Sequence, residues 1–260
     1  MKNESVPKVV CIIQGRMGSS RFPGKILKEI CGHPMLWWVV RRAQRSTRID
    51  QVVVATTISP LDDAVAQFCR SADILFFRGD EFDVLDRYYQ AAKENRADIV
   101  VRLTADCPLM EPHLIDEAVQ TLIISELDFA ANRLPPPHKR TYPIGLDVEV
   151  ATFQALELAW QNAEKLYERE HVMPYLYDPG NRFKFIVLNA ERDLSHYRWT
   201  VDTEQDFQFI QAVMEYLDCR DDFTWQDIIA ILQKHPELLT INASVHHKSL
   251  RDVDQRADKK

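Results

Sequence analysis

Val9-Val10-Cys11-Ile12-Ile13 runs directly into Gln14-Gly15-Arg16-Met17-Gly18-Ser19-Ser20-Arg21-Phe22-Pro23-Gly24-Lys25. The first segment is apolar and mostly β-branched, which reads as a strand buried on both faces. The second is rich in turn formers and cations and reads as a long functional loop. Strands covered on both faces belong to parallel sheets, and ligands in such sheets bind outside the C-terminal ends of the strands.

The pattern continues outward from this unit. After a turn at Gly32-His33-Pro34, residues 35–45 have helical character and residues 51–57 form a β-branched apolar run. A helix over 61–70, a strand over 74–77, a helix over 84–95 and a strand over 98–103 follow. This alternation predicts an α/β, Rossmann-like half with a mostly parallel central sheet and helices on both faces.

Beyond Thr104 the pattern loosens. It predicts a helix over 112–125, a proline-rich loop over 134–137 and extended chain over 141–150. Helices over 153–163 and 168–177, strands over 183–188 and 198–201, and helices over 204–217 and 225–233 complete the reading. With neither repeat nor low-complexity linker, residues 1–245 read as a single domain, divided near 130, followed by a charged tail over 246–260.

The 260 residues are 46% hydrophobic and 27% charged, within the globular range. A net charge of -7 argues against a nucleic-acid-binding surface, which needs clustered Lys and Arg. Any anionic ligand must be held by a local basic cluster. No window approaches about 18 consecutive apolar residues and the start of the chain is polar, so the expected location is cytoplasmic. Cys11, Cys31, Cys69, Cys107 and Cys219 form no C-x-x-C pair and read as buried, reduced thiols, with Cys107 inside a suspected site.

Arg16, Ser19, Ser20, Arg21 and Lys25, with Gly15, Gly18 and Gly24, suit a triphosphate, which needs charge neutralisation and close N–H approach. A P-loop would require Ser or Thr after Lys25, where Ile26 stands. Arg102-Leu103-Thr104-Ala105-Asp106-Cys107-Pro108 puts one carboxylate at a strand end, where it can take Mg²⁺ jointly with substrate phosphates. Asp202 ends a second short strand and reads equally as a helix N-cap or a second ligand to that metal. Glu170 and His171 mark either a solvated helix end or an acceptor contact, and Asp147 and Glu149 either hold sugar hydroxyls or face water.

The loop R-M-G-S-S-R-F-P-G-K over 16–25 resembles the opening motif of the cytidylyltransferases that activate 3-deoxy-manno-octulosonate and acylneuraminate. The resemblance is nearest to their SpsF-like branch, named for spore coat polysaccharide biosynthesis. It continues through F-R-G-D at 77–80, V-L-D-R-Y-Y at 84–89, R-L-T-A-D-C-P-L at 102–109, T-Y-P-I-G-L-D-V-E-V from Thr141, E-R-E-H-V from Glu168 and S-H-Y-R-W-T-V-D-T from Ser195.

This resemblance implies a nucleotide-diphospho-sugar transferase fold. Residues 8–130 become the nucleotide half and 131–245 the acceptor-binding and dimerisation half. It puts Arg16, Ser19, Arg21 and Lys25 around the triphosphate of CTP, with Gln14, Gly15, Ser20 and Thr104 on the same side. Asp106 and Asp202 fall at the metal-binding aspartates, and Arg16, Lys25 and Asp106 form the catalytic set. Arg87 lies beside the nucleotide with Asp86 orienting it, a surface ion pair on a helix being the competing view. The acceptor-side set is Arg78, Tyr142, Asp147, Glu149, Glu170, His171 and Arg198. Tyr142, Phe153, Trp160 and Tyr177 are candidates for a homodimer contact, and core packing explains them equally well.

The expectation is a magnesium-dependent transfer of CMP from CTP to an acidic sugar-like acceptor, with pyrophosphate released, in surface-glycan precursor supply. Its rivals are a glycosyltransferase of the same fold and a non-catalytic nucleotide-binding module. Two departures bear on the base. Thr104-Ala105-Asp106 replaces Gln-Gly-Asp, and Gln14-Gly15-Arg16 replaces Pro-Ala-Arg.

Overall fold

The computed structural model describes residues 6–245. Strand β1 (Val9–Gln14) lies parallel between β4 (Gln51–Thr57) and β6 (Ile99–Thr104), and β5 (Leu75–Gly79) pairs parallel with β4. On the far side of β6, β8 (Glu149–Thr152) pairs antiparallel, β7 (Phe129–Ala131) pairs antiparallel with β8, and β9 (Phe185–Val187) pairs parallel with β7. The order is β5-β4-β1-β6-β8-β7-β9, so every strand of this sheet except β8 runs the same way. One sheet thus passes through both predicted halves.

Period-two alternation along β1 assigns its two faces. Val9, Cys11 and Ile13 pack with α1 (Met35–Ala43), α2 (Asp63–Ser71), α4 (Pro112–Ile124), α8 (Glu204–Tyr216) and α9 (Trp225–Lys234). Val10 and Ile12 pack with α3 (Val84–Glu94), α5 (Phe153–Asn162) and α7 (Pro174–Tyr177). Gln14, which continues the second row, therefore emerges on the α3 side of the sheet.

Several expectations are corrected. The extended stretch over 141–150 joins the sheet only from Glu149. Before that it touches 198–201 through a lone bridge between Ile144 and Arg198, so 198–201 is not a ladder strand either. Gly145 makes this crossing possible. Its φ is 108°, and a Cβ there would lie 2.6 Å from Thr200 N and Trp199 C. The helix expected over 168–177 divides into α6 (Leu166–His171) and α7, because Val172 turns to a φ of 71° and Pro174 cannot continue the hydrogen-bond ladder. The short hairpin of β2 (Glu29–Ile30) and β3 (His33–Pro34), and the three-residue β7, carry too little periodicity to read from sequence.

Cysteine chemistry also differs. Cys31, in the β2–β3 turn, and Cys219, after α8, form a disulfide across 188 residues, while Cys11, Cys69 and Cys107 are buried free thiols. No helix among the described residues is long and apolar enough to cross a membrane. The predicted tail over 246–260 lies outside the described residues.

Gly145→Ala is expected to cost at least about 2 kcal/mol. Thermal unfolding should show Tm lower by roughly 4–8 °C. An unchanged Tm would mean that the crossing at Ile144 does not depend on glycine.

Candidate active site

The loop after β1 folds inward. Met17 donates its N–H to Asp62 Oδ1 at 2.6 Å and accepts from Ser19 N and Gly24 N at 2.9 and 3.0 Å. Gly24, at a φ of 70°, starts a 3-10 turn that carries Lys25 under the loop, where only 8% of it is exposed. A buried ammonium must be matched by acceptors. Lys25 Nζ donates to Val201 O at 2.6 Å, Asp106 Oδ2 at 3.0 Å and Asp202 Oδ1 at 3.2 Å.

Asp106 follows the end of β6, and Asp202 follows the extended 198–201 segment. Gln14 and Thr104 are register partners, Ala105 N donates to Gln14 O at 2.9 Å, and Asp106 follows as β6 leaves the sheet. Val201 N then donates to Asp106 O at 2.8 Å, which fixes Asp202 beside Asp106. Thr104 Oγ1 donates to Asp106 Oδ1 at 2.6 Å. Arg21 meets Asp202 Oδ2 at 2.9 Å from the loop side. The helix-cap alternative for Asp202 fails, because Thr203 caps α8 in a box with Asp206 and leaves Asp202 free to face Lys25.

The charges interlock. Burial pulls the Lys25 ammonium down, and Asp106 and Asp202 more than reverse this, so its pKa stands above the ordinary lysine value. Burial pushes the Asp202 carboxyl up, and Lys25, Arg198 and Arg21 hold it well below the usual carboxylate range. Arg198, expected on the acceptor side, is instead a support. Its Nη2 donates to Asp202 Oδ2 at 2.8 Å while its Nε donates to the fully buried Asp206 at 2.8 Å. Asn242 Nδ2 donates to Asp206 Oδ1 and to Arg198 O, both at 3.1 Å.

On the α3 side of the loop is a cleft of about 340 Å³ that brings together Gln14, Gly15, Arg16, Arg87, Glu170 and His171. Glu170 and His171, expected to meet the acceptor, thus share a wall with residues expected to meet the nucleotide. Arg87 is 2% exposed, which removes the surface ion-pair view. Its Nη1 donates to Asp80 O at 2.7 Å, and burial pulls its guanidinium pKa down to about 10. Gly79 leaves room for it, since a Cβ there would sit 3.2 Å from Arg87 Cγ. Asp86 does not orient Arg87 but accepts from Trp160 Nε1 at 2.8 Å and Gln90 Nε2 at 3.0 Å. Arg16 Nη1 meets Glu81 Oε1 at 3.1 Å across the mouth.

Other predicted residues lie outside the cleft. Arg78 braces the β4 end, meeting Asp63 at 2.7 Å, Thr57 O at 2.8 Å and Ser59 O at 3.0 Å. Tyr142 is buried edge-on to Trp225, and burial pushes its phenol up to about 12. Glu149 pairs with Arg102 across the β6–β8 ladder, and Asp147 Oδ2 accepts from Arg140 Nη2 at 2.9 Å. Ser19 Oγ accepts from Phe22 N at 3.4 Å within the loop, and Ser20 is exposed. Burial pushes the Cys107 thiol well above its ordinary pKa, and its sulfur lies beside the Thr104 and Thr200 hydroxyls. Asp62, Asp206 and Asn242 carry no site signal in the sequence. The first reads as part of a helix start, and the others gain meaning only from partners distant in sequence.

Among the described residues no group of three or more His, Cys, Asp or Glu side chains could hold a metal ion. A cationic loop and two carboxylates gathered at one end of a mostly parallel sheet, beside a cleft, match the class of nucleotidyltransferases with the nucleotide-diphospho-sugar transferase fold. The chain belongs to the cytidylyltransferase family, which matches residues 10–249. It is 34% identical to a solved cytidylyltransferase from Leptospira borgpetersenii, with a TM-score of 0.85 and coverage of 93% of this chain and 100% of that one. It is also 29% identical to the Bacillus subtilis spore coat polysaccharide biosynthesis protein SpsF, over 89% of this chain and 97% of the relative. An uncharacterised Methanocaldococcus jannaschii protein, MJ1063, is 37% identical over 95% of this chain and all of its own length.

The depressed Asp202 carboxyl sets a sign for pH. A group whose folded pKa is lowered contributes stability above the ordinary carboxylate range and loses it as the pH falls toward the folded value. Lys25→Met should therefore cost about 3 kcal/mol at pH 7, with the penalty shrinking as the pH falls below the ordinary carboxylate range, measured by denaturant unfolding across that range. A penalty independent of pH would contradict the charge network.

Proposed function

We propose that the chain transfers CMP from CTP to an acidic sugar or sugar-like acceptor, releasing pyrophosphate, in the supply of surface-glycan precursors. The observation that carries this reading is the convergence of Lys25, Asp106 and Asp202 on one point beneath a loop that also bears Arg16 and Arg21.

The residues suit Mg²⁺. Asp106 and Asp202 present oxygens to a single cationic position, and magnesium is commonly held by one or two carboxylates together with substrate phosphates. When bound there, the ion supplies charge neutralisation at the reacting phosphate. The chain's own groups do the positioning. Arg16, Arg21 and Lys25 balance the triphosphate, and Arg198 with Asp206 keeps the Asp202 carboxylate aimed. An acceptor oxygen then attacks the α-phosphorus in line and pyrophosphate leaves, with no covalent enzyme intermediate.

The test is pyrophosphate release from CTP, ATP, GTP and UTP with Mg²⁺ against a panel of acidic sugars. The expected result is release with CTP and one acceptor class, lowered roughly 100-fold or more in Asp106→Ala with folding retained. Undiminished turnover in that variant, or transfer from a nucleotide sugar without pyrophosphate, would overturn the reading.

A further inference from the structure

Two buried side-chain atoms at the cleft have no hydrogen-bond partner among the described residues, Gln14 Oε1 and Arg87 Nε. Buried polar atoms are nearly always paired, so atoms left unpaired beside a ligand cleft mark what the ligand must bring. Gln14 offers an acceptor and Arg87, which cannot act as an acceptor, offers a donor. The two residues line the same cleft from β1 and α3. Their complement is a ligand that carries both a donor and an acceptor. Phe82, which also lines the cleft, gives a ring there an apolar neighbour.

We infer that Gln14, together with Arg87, reads the pyrimidine edge of the nucleotide and sets the preference for cytosine over uracil. The inference rests on the cytidylyltransferase reading above and assigns its base specificity. Cytosine presents its N4 amino donor beside the N3 and O2 acceptors. The amide carbonyl of Gln14 accepts from N4–H, and the Arg87 guanidinium donates to the adjoining acceptor. Uracil puts a carbonyl where cytosine has the amino group and an N–H where cytosine has N3, so both contacts become mismatched. Discrimination is strong when a site's buried polar groups would be left unpaired by the wrong ligand.

Placement supports the assignment. Gln14 continues the Val10–Ile12 row that faces α3, and its amide therefore leaves the sheet on the side of Arg87. Its register partner Thr104 donates its hydroxyl to Asp106 and is directed to the carboxylate cluster, so the amide at this sheet end comes from β1.

Calorimetric binding of CTP and UTP with Mg²⁺ to the full chain requires no knowledge of the acceptor. Wild type should prefer CTP by about tenfold or more. Gln14→Met should bind CTP about tenfold more weakly with UTP affinity held within about twofold, which removes the preference. Gln14→Glu, which keeps an acceptor, should retain the preference despite weaker binding of both triphosphates. A circular dichroism melt establishes that each variant is folded. Equal weakening of CTP and UTP in Gln14→Met, or no weakening, overturns the role of Gln14 and leaves the proposed function standing. Absence of CTP binding by the wild type overturns the proposed function itself.

Discussion

A lysine ammonium held almost out of water between two aspartates is the constraint around which the site is arranged. Desolvation alone would neutralise it or force it to the surface. Asp106, Asp202 and the Val201 carbonyl hold it in place, and they come from chain segments about 80 and 176 residues away from Lys25. The sheet makes that meeting possible. β1 and β6 are neighbours, so the loop after one and the aspartate after the other leave the same edge together. The Gly145 crossing brings the 198–202 segment alongside. Arg198, Asp206 and Asn242 then fix Asp202 so rigidly that its direction does not depend on Lys25 alone.

This arrangement separates two tasks. In the proposed transfer, Lys25 and its carboxylates would serve the phosphates, and the cleft on the α3 side of the loop would take the base. The loop over 16–25 lies between them and belongs to both, with Arg16 reaching Glu81 on the cleft side and Arg21 reaching Asp202 on the other. Asp62, buried and accepting from Met17 and Thr57, pins the loop at its root. Rigid anchorage at a strand end is what positions charged groups within the tolerance that transfer chemistry demands.

Much of this was legible in the amino-acid order because it is local. The β-branched runs at 9–13, 51–57 and 98–103 are periodic and contiguous, and the cation-rich loop follows its strand directly, so the nucleotide-side sheet and its edge could be read without tertiary information. The second half was harder for physical reasons. The chain over 141–150 is extended without being a strand, because its partner is a single bridge at a glycine crossing. The run over 168–177 looks helical by spacing, but Val172 and Pro174 divide it. Arg198 and Arg78 show why charge type alone misleads. Arg78 lies near the end of β5 and Arg198 at a lone bridge, and each is tied to carboxylates or carbonyls whose proximity only the fold creates. The disulfide between Cys31 and Cys219 is of the same kind, since nothing in their spacing relates them.

In this reading one end of the sheet holds both the base and the reacting phosphates. A crystal structure with CTP and Mn²⁺, using the anomalous signal of manganese, tests it most directly. The cytosine ring is expected in the cleft between Gln14 and Arg87, the triphosphate along residues 16–25, and an anomalous peak between Asp106 and Asp202. A nucleotide bound away from that edge, or manganese held by other residues, would contradict it.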